Sequence, residues 1–110
     1  MKKEKKRRLE AAGWMVGTAE EFLDLTPEEQ AFLNAKIALA GAIRAWRSSR
    51  SMTQIDVARL VQSSQSRVAK MEAADPTVSI DLLVRTLLSL GAPLTELGRT
   101  IGNANADRPN

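Results

Sequence analysis

Apolar residues recur along this chain at helical spacing, in stretches separated by short polar breaks. Phe32, Ala35, Leu39, Ile43 and Trp46 lie three or four residues apart and predict one long helix, to about Ser48, with these five side chains as its buried stripe. Its start is marked by Thr26-Pro27-Glu28-Glu29: Thr26 can cap, Pro27 suits the first helical position, and Glu29 can reach back to the cap. Ser48-Ser49-Arg50-Ser51 interrupts the pattern. Thr53 then opens a short helix over 54–61, with Ile55, Ala58 and either Leu60 or Val61 turned inward. After Gln62-Ser63-Ser64 a second short helix is predicted over 64–73, with Val68 and Met71 on one face. Asp75-Pro76 is expected to end it, because proline disfavours helix in the residue before it. Ser79 caps a further helix over 80–90 that carries Leu83, Val84, Leu87 and Leu88, with Gly91 suited to its C′ position. Leu94, Leu97 and Ile101 fit either a short helix or an extended segment. The expected fold class is all-α, with about five helices.

Towards the N-terminus the pattern is weaker. Gly13-Trp14-Met15-Val16-Gly17 reads as a strand or a tucked loop, and Thr18 with Glu21 has capping-box spacing. The expected organisation is a basic arm with a short extension over 1–25, one domain over 26–101 and a disordered tail over 102–110.

Composition removes several function classes. The chain has 110 residues, no Cys and no His. Disulfide frameworks, thiolate or imidazole metal sites and His-dependent triads are thereby excluded. The six glycines are scattered and form no phosphate loop. The expectation is a protein that is not an enzyme, needs no cofactor or metal, and is cytoplasmic. No apolar run is long enough to span a membrane, and Lys2 stands where a myristoylation signal needs Gly.

The net charge of +3 is modest, but its distribution is uneven. Residues 1–8 carry six basic side chains against Glu4, and residues 10–35 carry six acidic ones with no base. Residues 44–70 carry Arg44, Arg47, Arg50, Arg59, Arg67 and Lys70 against Asp56 alone. A basic block inside a foldable segment suits a polyanion-binding surface, although a solvated helix face has the same composition. Trp14 and Trp46 are read as core residues rather than stacking platforms. The Lys2–Arg8 run is a solvated tail or an arm tracking phosphates.

Two short helices joined by a tight turn meet the physical requirement of a helix-turn-helix. The first lies across the DNA backbone, and the second must keep an outer face free of core duties. On 64–73 that outer face would be Gln65, Ser66, Arg67 and Lys70, all able to reach phosphates or base edges. Residues 43–91 resemble the XRE family of helix-turn-helix proteins, which includes the lambdoid phage repressors. The likeness rests on Ile43-Arg44-Ala45-Trp46-Arg47, Met52-Thr53-Gln54, Val57-Ala58, Ser64-Gln65-Ser66-Arg67-Val68 and Met71-Glu72 in register.

The resemblance implies a lambda-repressor-like domain binding double-stranded operator DNA as a homodimer, with roles for particular residues. Gln65, Ser66 and Lys70 would read bases, with Gln65 bidentate to adenine. Gln54, Ser64 and Arg67 would hold phosphates, Gln54 also bracing Gln65. Arg47 and Glu72 would form a structural ion pair. Ser51 and Gln62 depart from the family, which usually has Gly at both places. A positive φ at position 62 would cost Gln about 1 kcal/mol.

Lys36 opening the first helix, Val78-Ser79-Ile80-Asp81-Leu82-Leu83, and Leu87-Leu88-Ser89-Leu90-Gly91 further resemble HigA-type antitoxins. Such proteins repress their own operon and bind a toxin of the RelE/HigB class. That implies a toxin partner, which the acidic 10–35 stretch could contact if it is not simply solvated. A stand-alone regulator, or an interaction module that no longer binds DNA, fits the same layout. The 80–90 helix could supply a dimer seam.

Overall fold

A computed structural model of the chain describes residues 25–104. The Lys2–Arg8 arm, the Gly13–Gly17 segment, the Thr18–Glu21 cap and residues 105–110 lie outside the described residues. Among those described there are five helices and no strand: α1 (Pro27–Ser49), α2 (Gln54–Leu60), α3 (Gln65–Glu72), α4 (Ile80–Ser89) and α5 (Leu94–Gly102). The described residues have the expected all-α class and the expected five helices. The chain divides into two compact units, residues 1–33 and 34–110.

In the first unit the start of α1 is a reciprocal capping box. The Glu29 amide donates to Thr26 Oγ1 at 3.1 Å, and the Thr26 amide donates to Glu29 Oε1 at 2.9 Å. Phe32, expected in the buried stripe, is 60% exposed. The buried apolar cluster has no described member before Leu39, and the buried residues of α1 before it are polar: Gln30, Asn34 and Lys36.

In the second unit one apolar cluster joins all five helices. Leu39 and Ile43 from α1, Val57 and Ala58 from α2, and Val68 and Met71 from α3 meet Leu83 and Leu87 from α4 and Leu97 from α5. Trp46 is half-buried against this cluster, and its ring carries the Arg50 guanidinium at 5.2 Å. One more inward assignment is corrected on α2: Ile55 is 52% exposed. Val57 and Ala58 are buried, and of the two alternatives Val61 is half-buried and Leu60 is 48% exposed. With about 100° per residue, Val57, Ala58 and Val61 share one direction, and Ile55 and Leu60 fall roughly a third of a turn to either side of it.

α2, α3 and α4 each start at a hydroxyl, whereas α5 starts at Pro93 with no side-chain cap. Thr53 Oγ1 accepts from the Asp56 amide, and Asp56 Oδ2 accepts from the Thr53 amide at 2.8 Å. Ser64 accepts from the Arg67 amide and Ser79 from the Leu82 amide. The Thr53 amide first, and then the Thr53 hydroxyl, hold the Asp56 carboxyl below its ordinary range.

The helices also end alike. At the ends of α1 to α4, the amides of Met52, Ser63, Asp75 and Ala92 reach back to the carbonyls of Arg47, Ala58, Lys70 and Leu87. Such a closure sets the residue before each of those amides in the left-handed region. Those residues are Ser51, Gln62, Ala74 and Gly91, with φ of 56°, 55°, 53° and 98°. Only the last is glycine. This closure at Ala74 stops α3 at Glu72, before Pro76 could act. At the other end of the domain α5 continues to Gly102 with Asn103 as its C-cap, so Gly102 is not in the tail expected from there.

No helix among the described residues is long and apolar enough to cross a membrane.

Candidate nucleic-acid interface

The two short helices α2 and α3 pack against each other, joined by residues 61–64. Their inner faces are Val57 and Ala58 on one side and Val68 and Met71 on the other, all buried. Met71 Sδ also accepts a hydrogen bond from the buried Thr86 hydroxyl on α4, at 3.4 Å. α3 is thereby fixed along one side only. Its other side presents Gln65, Ser66, Arg67 and Lys70, all exposed.

A chain of polar contacts ties this outer side to the frame. Gln65 Nε2 donates to Gln54 Oε1 at 2.6 Å, and Gln54 Nε2 donates to Glu72 Oε1 at 3.1 Å. Arg47 closes the chain with a fork: Nε donates to Glu72 Oε2 at 2.6 Å and Nη2 to Glu72 Oε1 at 3.1 Å. Its remaining Nη1 donates to the Met52 carbonyl at 3.1 Å. Residues from α1, α2 and both ends of α3 are thus linked through four side chains. Bidentate pairing of this kind is the stronger form of charged hydrogen bond. The Glu72 contact holds the Arg47 guanidinium above its ordinary value, against the opposing effect of burial. The Arg47 and Glu72 side chains are only 17% and 7% exposed, so solvent screens this pair weakly.

The other candidate residues are arranged more loosely. Ser64 and Ser66 place their hydroxyls 3.3 Å apart at the start of α3. Arg67 and Lys70 form no ion pair among the described residues, and Arg44, Arg50 and Arg59 are likewise exposed. Lys36 does not open α1 but lies nine residues into it, and it is buried. Burial pushes its ammonium below the usual lysine range, partly offset by Asp75. Asp75 itself is held low first by the Thr77 hydroxyl at 2.6 Å and then by the Thr77 amide at 2.8 Å.

Some of this escaped sequence reasoning. The Thr53-x-x-Asp56 spacing could have signalled the capping box on α2. No local signal gives the Gln54–Glu72 contact or the Met52 carbonyl as a partner of Arg47, because both depend on how α2 closes over α3.

A seven-residue helix, a tight turn and an eight-residue helix with a polar outer face make a helix-turn-helix unit. The family model described as a helix-turn-helix domain matches residues 22–95, well over half of the chain. The chain belongs to that family. No curated protein and no solved structure matches it.

Proposed function

We propose that this chain is a sequence-specific DNA-binding repressor, acting as the antitoxin of a HigBA-type pair that represses its own operon. The observation that carries the DNA-reading part is the Gln65–Gln54–Glu72–Arg47 chain. It spends hydrogen bonds on holding one exposed amide still at the start of α3. A fixed amide offers an acceptor and a donor side by side, the pattern that adenine complements in the major groove. Ser66 and Lys70 stand beside it on the same face as further base contacts. Gln54, Ser64 and Arg67 hold phosphates around them, and Arg47 with Glu72 supports the frame. Phosphate contacts set register, and base contacts carry sequence information.

One such helix spans few base pairs, so the protein binds as a homodimer on half-sites about 34 Å apart. The antitoxin assignment is supported by the likeness of 78–91 to HigA-type proteins, and its partner is a RelE/HigB-type toxin.

Fluorescence-anisotropy titration with the duplex upstream of its own gene, against a shuffled duplex at two salt concentrations, tests the repressor reading. Tight, salt-sensitive binding that prefers the native duplex is expected. Equal weak binding to both contradicts autorepression, and no binding even at low salt contradicts DNA binding altogether. Co-purification with the product of an adjacent gene for a small basic protein tests the antitoxin reading. Failure to form that complex leaves a stand-alone regulator.

A further inference from the structure

We infer that Glu72 is a positioning residue for base choice: its carboxylate fixes which end of the Gln65 amide faces which way, through Gln54. The inference rests on Gln65 reading a base as proposed above.

An ionised carboxylate only accepts hydrogen bonds. Glu72 already receives Arg47 on both oxygens, and the group presented to it by Gln54 must also be a donor. Gln54 therefore turns its Nε2 towards Glu72 and its Oε1 away. That oxygen in turn requires a donor from Gln65, which turns its Nε2 inward. The order of donor and acceptor on the exposed edge of Gln65 is thus dictated by Glu72 along a one-way chain that passes through Gln54 on the neighbouring helix.

A neutral amide at position 72 breaks the one-way rule. It could keep its oxygen on Arg47 and offer its own N–H to Gln54. Gln54 would then rotate, and Gln65 with it, exchanging acceptor and donor on the base-facing edge. An adenine would meet the two in the wrong order. Glu72 touches no base, so its effect appears in preference rather than in bulk affinity.

The test is selection of bound duplexes from a pool with a randomised central stretch, using the full-length chain and its variants. Wild type is expected to prefer one base by about tenfold at the position whose preference Gln65→Ala abolishes. Glu72→Gln should narrow that preference to about twofold while other positions keep theirs. Gln54→Met, which cuts the chain without touching the ion pair, should narrow it equally and make Glu72→Gln silent in combination. Arg47→Met removes the same ion pair but leaves an acceptor at position 72. It should lower Tm and keep the preference.

An unchanged profile for Glu72→Gln overturns the inference alone. So does an equal loss of preference in Arg47→Met, which would trace the effect to the ion pair rather than to hydrogen-bond direction. A wild-type pool enriched in nothing removes the base-reading proposal and this inference together.

Discussion

Helices α3 and α4 begin in the same way and are used differently. Both start at a serine whose hydroxyl accepts from the third helical amide. α4 then buries Leu83, Thr86 and Leu87 and keeps Ile80, Leu82 and Val84 packed against the core. α3 buries only Val68 and Met71, and its remaining hold on the frame is polar, through Gln65 and Glu72 at its two ends. A helix that must leave a face open for a ligand cannot be fixed by apolar burial on all sides. Directed hydrogen bonds supply the missing restraint, and they fix orientation as well as position.

The largest effect that would sharpen this comparison comes from the inner side of α3. Met71→Ala is expected to lower stability by about 3 kcal/mol, because it opens a cavity at the centre of the cluster and leaves the Thr86 hydroxyl without its partner. Lys70→Ala, one residue away on the open face, is expected to change stability by less than about 0.5 kcal/mol. Denaturant titration of both variants checks the contrast, and similar losses would mean that the two faces are not distinct.

The paired caps come next. Ser64→Ala and Ser79→Ala should each cost about 1 kcal/mol, since each leaves one first-turn amide without its acceptor. After matching for stability, only Ser64→Ala should weaken DNA binding. Equal effects on binding would undo the distinction between the two helices.

Lys36 gives a comparable effect with the opposite sign. Its pKa is lowered in the folded chain, so between the folded and unfolded values the unfolded chain binds more protons. Stability should therefore rise with pH as the solution enters the alkaline window below 10.5. Lys36→Met, which removes the buried ammonium, should stabilise the chain by about 1 kcal/mol and abolish that rise. A pH-independent Tm in wild type over this window would contradict the burial cost.

The smallest effect is at the turn. Gln62→Gly relieves a left-handed conformation that costs a side chain about 1 kcal/mol or more, but it loosens the unfolded chain. The net expectation is a gain of about 0.5 kcal/mol, readable as a small rise in Tm. A loss would mean that Gln62 contributes a contact worth more than its strain.

Much of this architecture was legible because it rests on local chemistry. Thr26, Thr53 and Ser79 each announce a helix start by a hydroxyl placed before apolar periodicity, and all three caps are in the structure. Ser64, expected as the first residue of its helix, is its cap instead. The helix ends were less legible. Gly91 signals a left-handed C′ residue, but Ser51, Gln62 and Ala74 take the same conformation without glycine. The backbone closures of Met52, Ser63 and Asp75 go with it there, and Ala74 carries no turn signature at all. Periodicity also misplaced Phe32 and Ile55, because it gives a direction around a helix and not the extent of the core it meets. On α3 the spacing of Val68 and Met71 identified the open face by elimination. The chain that orients Gln65 joins residues 11, 18 and 25 positions apart, and no window of sequence contains it.

The decisive comparison is Gln65→Ala beside Arg67→Ala, each titrated against a preferred and a shuffled duplex across a salt series. Base reading by Gln65 predicts that its loss removes about 1–3 kcal/mol of discrimination and leaves salt-dependent binding in place. Arg67→Ala should instead weaken both duplexes alike and flatten the salt slope by about one unit. Equal losses on both duplexes for Gln65→Ala, with discrimination intact, would contradict a base-reading role for the amide that this fold holds in place.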